Sequence, residues 1–180
     1  MALSATVRRF EIALSDSDRE VYEQLDWRVA QHPSESERYL VARVLARCLE
    51  HAEGLDFSKA GLGDDVEPAL IQRDLRGDLR AWIEVGAPAA DRLHKAMKAS
   101  PRVVVYTWKA AQVLEGIAER GGIYKGRELE LKVLPGEWLD EVAAKLDRVN
   151  RWELAISGGT LYLTANGTAF DLVLEQLAIP

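Results

Sequence analysis

The stretch Arg102-Val103-Val104-Val105-Tyr106-Thr107 constrains the fold more than any other part of the chain. Successive side chains of a strand point to opposite faces, so an unbroken apolar run leaves neither face suited to water. A strand of this kind belongs inside a sheet that is covered on both sides. In a chain of 180 residues, 48% hydrophobic and 29% charged, there is enough apolar material to supply that cover. The expectation is a mixed α/β (α+β) protein forming a single domain over 1–180, with a core of about 1–150 and a C-terminal β-meander of about 151–176.

Periodicity locates the other elements. Phe10, Ile12 and Leu14 alternate with polar or small residues, as do Val21, Leu25, Trp27 and Val29, which predicts two strands joined through Ser15-Asp16-Ser17-Asp18. Ser34 and Glu37 have the spacing of a capping box, and Leu40, Val41, Val44, Leu45, Cys48 and Leu49 then form one helical stripe. A short strand about 55–58 precedes an acidic connector over 60–65. Strands follow at about 69–75 and 79–85, then a helix from Pro88 to Lys98, the strand 102–107, a helix 109–119, a strand 128–133 and a helix 136–148. Two turn signals, Ser157-Gly158-Gly159-Thr160 and Ala165-Asn166-Gly167-Thr168, separate three meander strands, 152–157, 160–165 and 168–175.

Glu84 stands out as one carboxylate inside Trp82-Ile83-Glu84-Val85. It belongs either to the wet face of a strand or to a site. Burying Ala69, Ile71 and Leu75 together with Leu79, Ala81, Ile83 and Val85 places Leu75 opposite Leu79 and makes Arg76-Gly77-Asp78 a three-residue loop. Glu84 then lies opposite Leu70 and shares its face with Gln72, Asp74 and Arg80. Asp74 sits opposite Arg80 as an ion-pair partner, roughly 13 Å from Glu84 at strand rise and too far to share one metal ion. Glu67, and Asp65 if the connector folds back, are the nearer carboxylates.

The order strand, helix, strand hairpin, helix, strand, with an acid late in the second hairpin strand, resembles the core of the PD-(D/E)XK nuclease superfamily. More narrowly, MALSATV, RVAQHPSESER, LDFSKAGLGDDVEP, QRDLRGDLRAWIEVGAP and VVVYT are similar to the bacterial YaeQ family, from residue 1 to about 107. The resemblance implies a restriction-endonuclease-like mixed sheet flanked by helices. It also implies Mg²⁺ held by two acids beside a lysine that orients the attacking water, since carboxylate and water oxygens suit this hard ion.

Carried over by position, Pro68 matches the superfamily proline and Glu84 its acid, but Ala69 stands where the aspartate belongs and Gly86 where the lysine belongs. Under this resemblance Glu67 or Asp74 supplies the missing metal ligand beside Glu84. Lys95 or Arg92, on the following helix, supplies the missing cation, and Gln72 completes a catalytic set of Glu84, Gln72, Lys95 and Arg92. Arg92, Lys95, Lys98 and Arg102 against the single acid Asp91 form a local phosphate-facing patch.

Other residues read more simply. Glu37 caps a helix, Cys48 is a buried thiol on an apolar stripe, and Cys48 with His51 is too small a set for a metal. His32 and His94 have no triad spacing, and no Walker or dinucleotide-binding glycine pattern is present. One cysteine excludes an internal disulfide framework, and the N-terminus has no continuous apolar stretch, so a cytoplasmic protein without a membrane partner is expected. A net charge of −6 argues against general polyanion binding. Three functions follow: a Mg²⁺-dependent phosphodiesterase acting on nucleic acid, a catalytically silent relative binding nucleic acid or a protein partner through the same cleft, and a protein-interaction module using the meander edge.

Overall fold

The computed structural model describes residues 4–59 and 67–180. The expected connector over 60–65, including Asp65, lies outside the described residues. The elements run β1 (Thr6–Asp16), β2 (Val21–Gln31), α1 (Glu37–Leu49), β3 (Leu55–Phe57), β4 (Leu70–Arg73), β5 (Leu79–Val85), α2 (Ala90–Ala99), β6 (Val103–Thr107), α3 (Ala110–Glu119), β7 (Glu130–Val133), α4 (Gly136–Ala143), β8 (Val149–Ser157), β9 (Thr160–Ala165), β10 (Thr168–Val173) and β11 (Glu175–Leu177). This is a mixed α+β fold with two mixed sheets and four helices among the described residues. Two compact units result, one of Met1–Val41 with Gly136–Leu174 and the other of Ala42–Pro135 with Glu175–Pro180.

The first unit holds a five-stranded sheet in the order β10-β9-β8-β1-β2. β1 pairs antiparallel with β2 and parallel with β8, so the meander continues the N-terminal hairpin rather than standing beside it. The alternation seen in the sequence puts Phe10, Ile12 and Leu14 on the buried face with Trp152, Leu154 and Ile156. Phe10 and Trp152 meet edge to face, with ring centroids 5.1 Å apart. The indole of Trp138 donates to the Asp171 carbonyl on the edge strand β10, which leaves one fewer free edge group for an intruding strand.

One expected cap moves. Ser36, not Ser34, accepts the backbone N–H of Tyr39, three residues into α1, while Ser34 bonds its hydroxyl to His32. Glu37 therefore enters the first turn, where it pairs with Arg8 at 3.0 Å. A Ser two residues nearer the stripe satisfies the helix donors directly, so the capping-box spacing was coincidental.

The second unit holds a six-stranded sheet in the order β11-β7-β6-β5-β4-β3. β5, β6 and β7 are parallel and are connected through α2 and α3. Both helices cover one face: Leu93, Ala96 and Met97 of α2 and Val113 and Ile117 of α3 form one cluster with Val103, Val105 and Leu131. The opposite face carries Ile83, Val104 and Tyr106, each fully buried. All five residues of β6 are buried, as its apolar run requires. The chain end returns as β11 beside β7, a strand that the meander reading did not separate from 168–175. α4 also stops at Ala143, short of the expected 148.

The hairpin register differs from the expected one. Leu70 pairs with Ile83, Ile71 with Trp82 and Gln72 with Ala81; a bulge between Gln72 and Arg73 then places Arg73 opposite Leu79. The tip is organised by Asp74, whose Oδ1 accepts the N–H groups of Arg76 and Asp78 and whose Oδ2 accepts Arg80 at 2.5 Å. Gly77 takes the left-handed backbone, φ 87°, that this turn needs. Leu75, expected in the core, is 94% exposed. Leu75→Ala should accordingly change the denaturant midpoint by less than about 0.5 kcal/mol equivalent. A loss of about 2 kcal/mol or more, the penalty of a core leucine, would contradict this placement.

Candidate functional site

Glu84 is not on a wet face. It points to the α2 and α3 side with Trp82 and Val105 and is 6% exposed. A carboxylate taken from water to that extent needs donors. Among the described residues it has two, both on Oε1: the Trp82 indole N–H at 2.7 Å and the Arg92 Nε at 2.5 Å. The guanidinium also lies over the Trp82 ring, 5.8 Å from its centroid, and donates through Nη2 to the main-chain carbonyl of Glu67 at 2.7 Å. Arg92 thus ties α2, β5 and the entry to β4 together.

The other expected site residues are distributed differently. Gln72 sits opposite Ala81, on the face away from Glu84, and its amide donates to the Glu53 carbonyl. This corrects the expectation that the two share a face, and the cause is the one-residue difference in register. Asp74 is held by Arg80 and by its own turn, and this hydrogen bonding keeps its carboxyl below the usual range. The Glu67 carboxylate accepts the Ser58 hydroxyl at 2.7 Å. Lys95 is exposed on α2 and forms no ion pair among the described residues. Arg102 is not on the helix, which ends at Ala99.

These donors do not suit a divalent cation. The Glu84 Oε1 is already shared by a guanidinium and an indole, and the Glu67 and Asp74 carboxylates are engaged elsewhere. Among the described residues no three His, Cys, Asp or Glu side chains are grouped to hold a metal. Gly86, where the nuclease resemblance leads one to expect a lysine, has φ 97°, a conformation that a lysine would adopt only with strain.

The most concentrated ionic arrangement lies on the opposite face and was not anticipated. Glu50, just past α1, accepts Arg102 at 2.7 Å, the Tyr106 hydroxyl at 2.6 Å and Lys132 at 2.9 Å. Arg102 also grips Glu130 bidentately at 2.7 and 2.8 Å. Burial alone would push the Glu50 carboxyl up; the Lys132 and Arg102 charges outweigh it and hold the group down at about 2. Burial likewise pushes the Tyr106 hydroxyl well above its ordinary value. Two acids and two bases balance, so this is a closed network rather than a charged pocket. The sequence signal for it was weak: Glu130 and Lys132 alternate with Leu131 on a strand, and Arg102 and Glu50 flank apolar runs.

The family model for the YaeQ protein matches residues 1–174. The chain belongs to the YaeQ family. The YaeQ protein of Escherichia coli (strain K12), named "Uncharacterized protein YaeQ", is 29% identical over 182 residues, covering 100% of this chain and 99% of its own length. Among solved structures, YaeQ from Xanthomonas axonopodis pv. citri has a TM-score of 0.88 at 32% identity, covering 98% of this chain and 100% of that one. YaeQ from Pseudomonas syringae has a TM-score of 0.85 at 31% identity, over 97% and 96% of the two chains. Among the described residues of this YaeQ chain, no helix is long and apolar enough to cross a membrane.

Proposed function

We propose that this YaeQ chain is a catalytically silent binding protein built on a PD-(D/E)XK-like core. The element order α1, β3-β4-β5, α2, β6 supports the core assignment. The observation that carries the silent reading is the ion pair of Arg92 with Glu84. The guanidinium supplies the counter-charge that a Mg²⁺ ion would otherwise provide, from within the chain. Ala69 and the left-handed Gly86, where the superfamily's aspartate and lysine belong, point the same way.

A protein partner is favoured over nucleic acid. Two cations of the expected phosphate patch are neutralised internally, Arg92 by Glu84 and Arg102 by Glu50 and Glu130. What remains is Lys95 and Lys98 in a chain of net charge −6. Phosphate contacts are the main source of non-specific nucleic-acid affinity, so salt-sensitive binding of a short duplex should be absent at low ionic strength.

The deciding measurement incubates the protein with Mg²⁺ or Mn²⁺ and with single- and double-stranded DNA and RNA. Wild type and Glu84→Gln should be equally inactive. The variant should lose about 2 kcal/mol of stability, because the partly buried Arg92 keeps its charge and loses its partner. Metal-dependent cleavage by the wild type that Glu84→Gln abolishes, with the fold retained by circular dichroism, would overturn the reading.

A further inference from the structure

The outer face of the five-stranded sheet carries a trough that none of the expected site residues touches. Pairing places Tyr22, Ser15, Ala155 and Tyr162 side by side across β2, β1, β8 and β9. The next row toward the strand interiors brings Ala13, Glu153 and Thr164 together on the same face. Two tyrosines, 61% and 53% exposed, therefore stand on the outer strands while small side chains floor the middle two. Three strand spacings separate the tyrosines by about 14 Å. The space between them has a volume of about 600 Å³. That falls within the range of ligand-binding clefts.

Glu153 marks what fits there. Farther along the same face Arg9 pairs with Asp26 and Glu11 and Arg151 pairs with Glu11, while Arg28 stands opposite Arg9. Glu153 is exposed and has no ion-pair partner among the described residues. An aromatic face attracts a cation through its quadrupole, and a carboxylate adds a charge-assisted hydrogen bond to the same group. An extended segment spans about 13 Å between residues i and i+4 and so reaches from one tyrosine to the other.

We infer that this trough is a docking site for a basic peptide segment of a protein partner, with an arginine seated on Glu153 between Tyr22 and Tyr162. The trough lies entirely within residues 1–41 and 136–174, a unit that does not include Glu84, so the cleavage measurement bears on the silent reading alone and leaves this inference to its own test.

The test titrates the intact protein with an acetylated Arg-Gly repeat peptide while amide resonances are followed by NMR. Citrulline-Gly and Glu-Gly repeats serve as uncharged and acidic controls. Saturable shifts should be confined to β1, β2, β8 and β9 around Ser15 and Ala155. The citrulline peptide and the Glu153→Gln variant should each weaken binding about tenfold, and Tyr22→Ala with Tyr162→Ala should abolish it while the fold is retained. Absence of saturation, equal binding of the citrulline or acidic peptide, or shifts centred elsewhere would overturn the assignment. So would two other occupants of the same face: an oligouridine binding there more tightly than the Arg-Gly peptide, or a concentration-dependent dimer that Tyr162→Ala dissociates.

Discussion

Glu50→Gln should destabilise the protein by about 3–5 kcal/mol, the cost of breaking a buried ion pair from one side. Gln keeps the shape but removes the anion from one arm of Arg102 and leaves Lys132 only its longer pair with Glu130 at 3.4 Å, with the Glu50 side chain only 6% exposed. Urea unfolding measures the loss directly. Glu128→Gln, at an exposed carboxylate, should stay within about 0.5 kcal/mol. The double change Glu50→Leu with Lys132→Met removes one charge of each sign and leaves Arg102 with Glu130, so it should recover part of the loss. A Glu50→Gln variant as stable as the control would show that the network contributes nothing.

The same network gives a signature in acid. The carboxyl of Glu50 is held at about 2 in the folded chain against an ordinary 4.5. A group depressed on folding stabilises the native state above its unfolded value, and that contribution is lost as pH falls through the folded value. Wild type should therefore lose about 3 kcal/mol between roughly pH 5 and pH 2 from this residue. Glu130, also held below its usual range, though burial opposes this and Arg102 brings it about, loses stability in the same direction. In Glu50→Gln the acid limb should be correspondingly shallower. A variant with the wild-type slope would assign acid sensitivity to other carboxylates.

Gly54→Ala should be the other severe change, costing about 3 kcal/mol or more. The backbone there is left-handed, φ 80°, which costs a residue with a Cβ about 1 kcal/mol. The larger part is contact: an added methyl would overlap the Arg73 carbonyl oxygen, main chain that cannot rotate away. Arg73 in turn donates its N–H to the Gly54 carbonyl at 3.1 Å, so relief requires separating the chain just before β3 from the end of β4. Gly77→Ala is the matched comparison, since its φ of 87° is equally left-handed and nothing lies within 4 Å of the added atom. The two variants share the conformational cost and differ by the packing cost. Equal melting temperatures would remove the packing argument.

Residue order by itself determined most of the elements and several of their neighbours. The apolar run at Val103–Tyr106 had to lie inside a covered sheet, and alternation put Phe10, Ile12 and Leu14 on one buried face. The family could be read from the order of short motifs. So could the ion pair of Asp74 with Arg80, because six residues across one turn are a local matter. Local pattern carries such features because each follows from a periodicity of 2 or 3.6 residues. The register of 70–73 against 79–85 was out of reach. The ladder ends at Arg73 and Leu79, which leaves Leu75 in the exposed turn, and a bulge at Gln72/Arg73 turns Gln72 to the far face; apolar alternation records neither.

The fate of the charges was decided only by tertiary structure. Arg92 and Arg102 look alike in sequence, two cations in a stretch with one acid. Folding gives one to Glu84, eight residues away, and the other to Glu50 and Glu130, 52 and 28 residues away. Glu84 was legible as a special carboxylate but not as a neutralised one. A buried charge takes whichever partner the fold brings within hydrogen-bonding distance, and that proximity is a property of packed elements rather than of spacing along the chain.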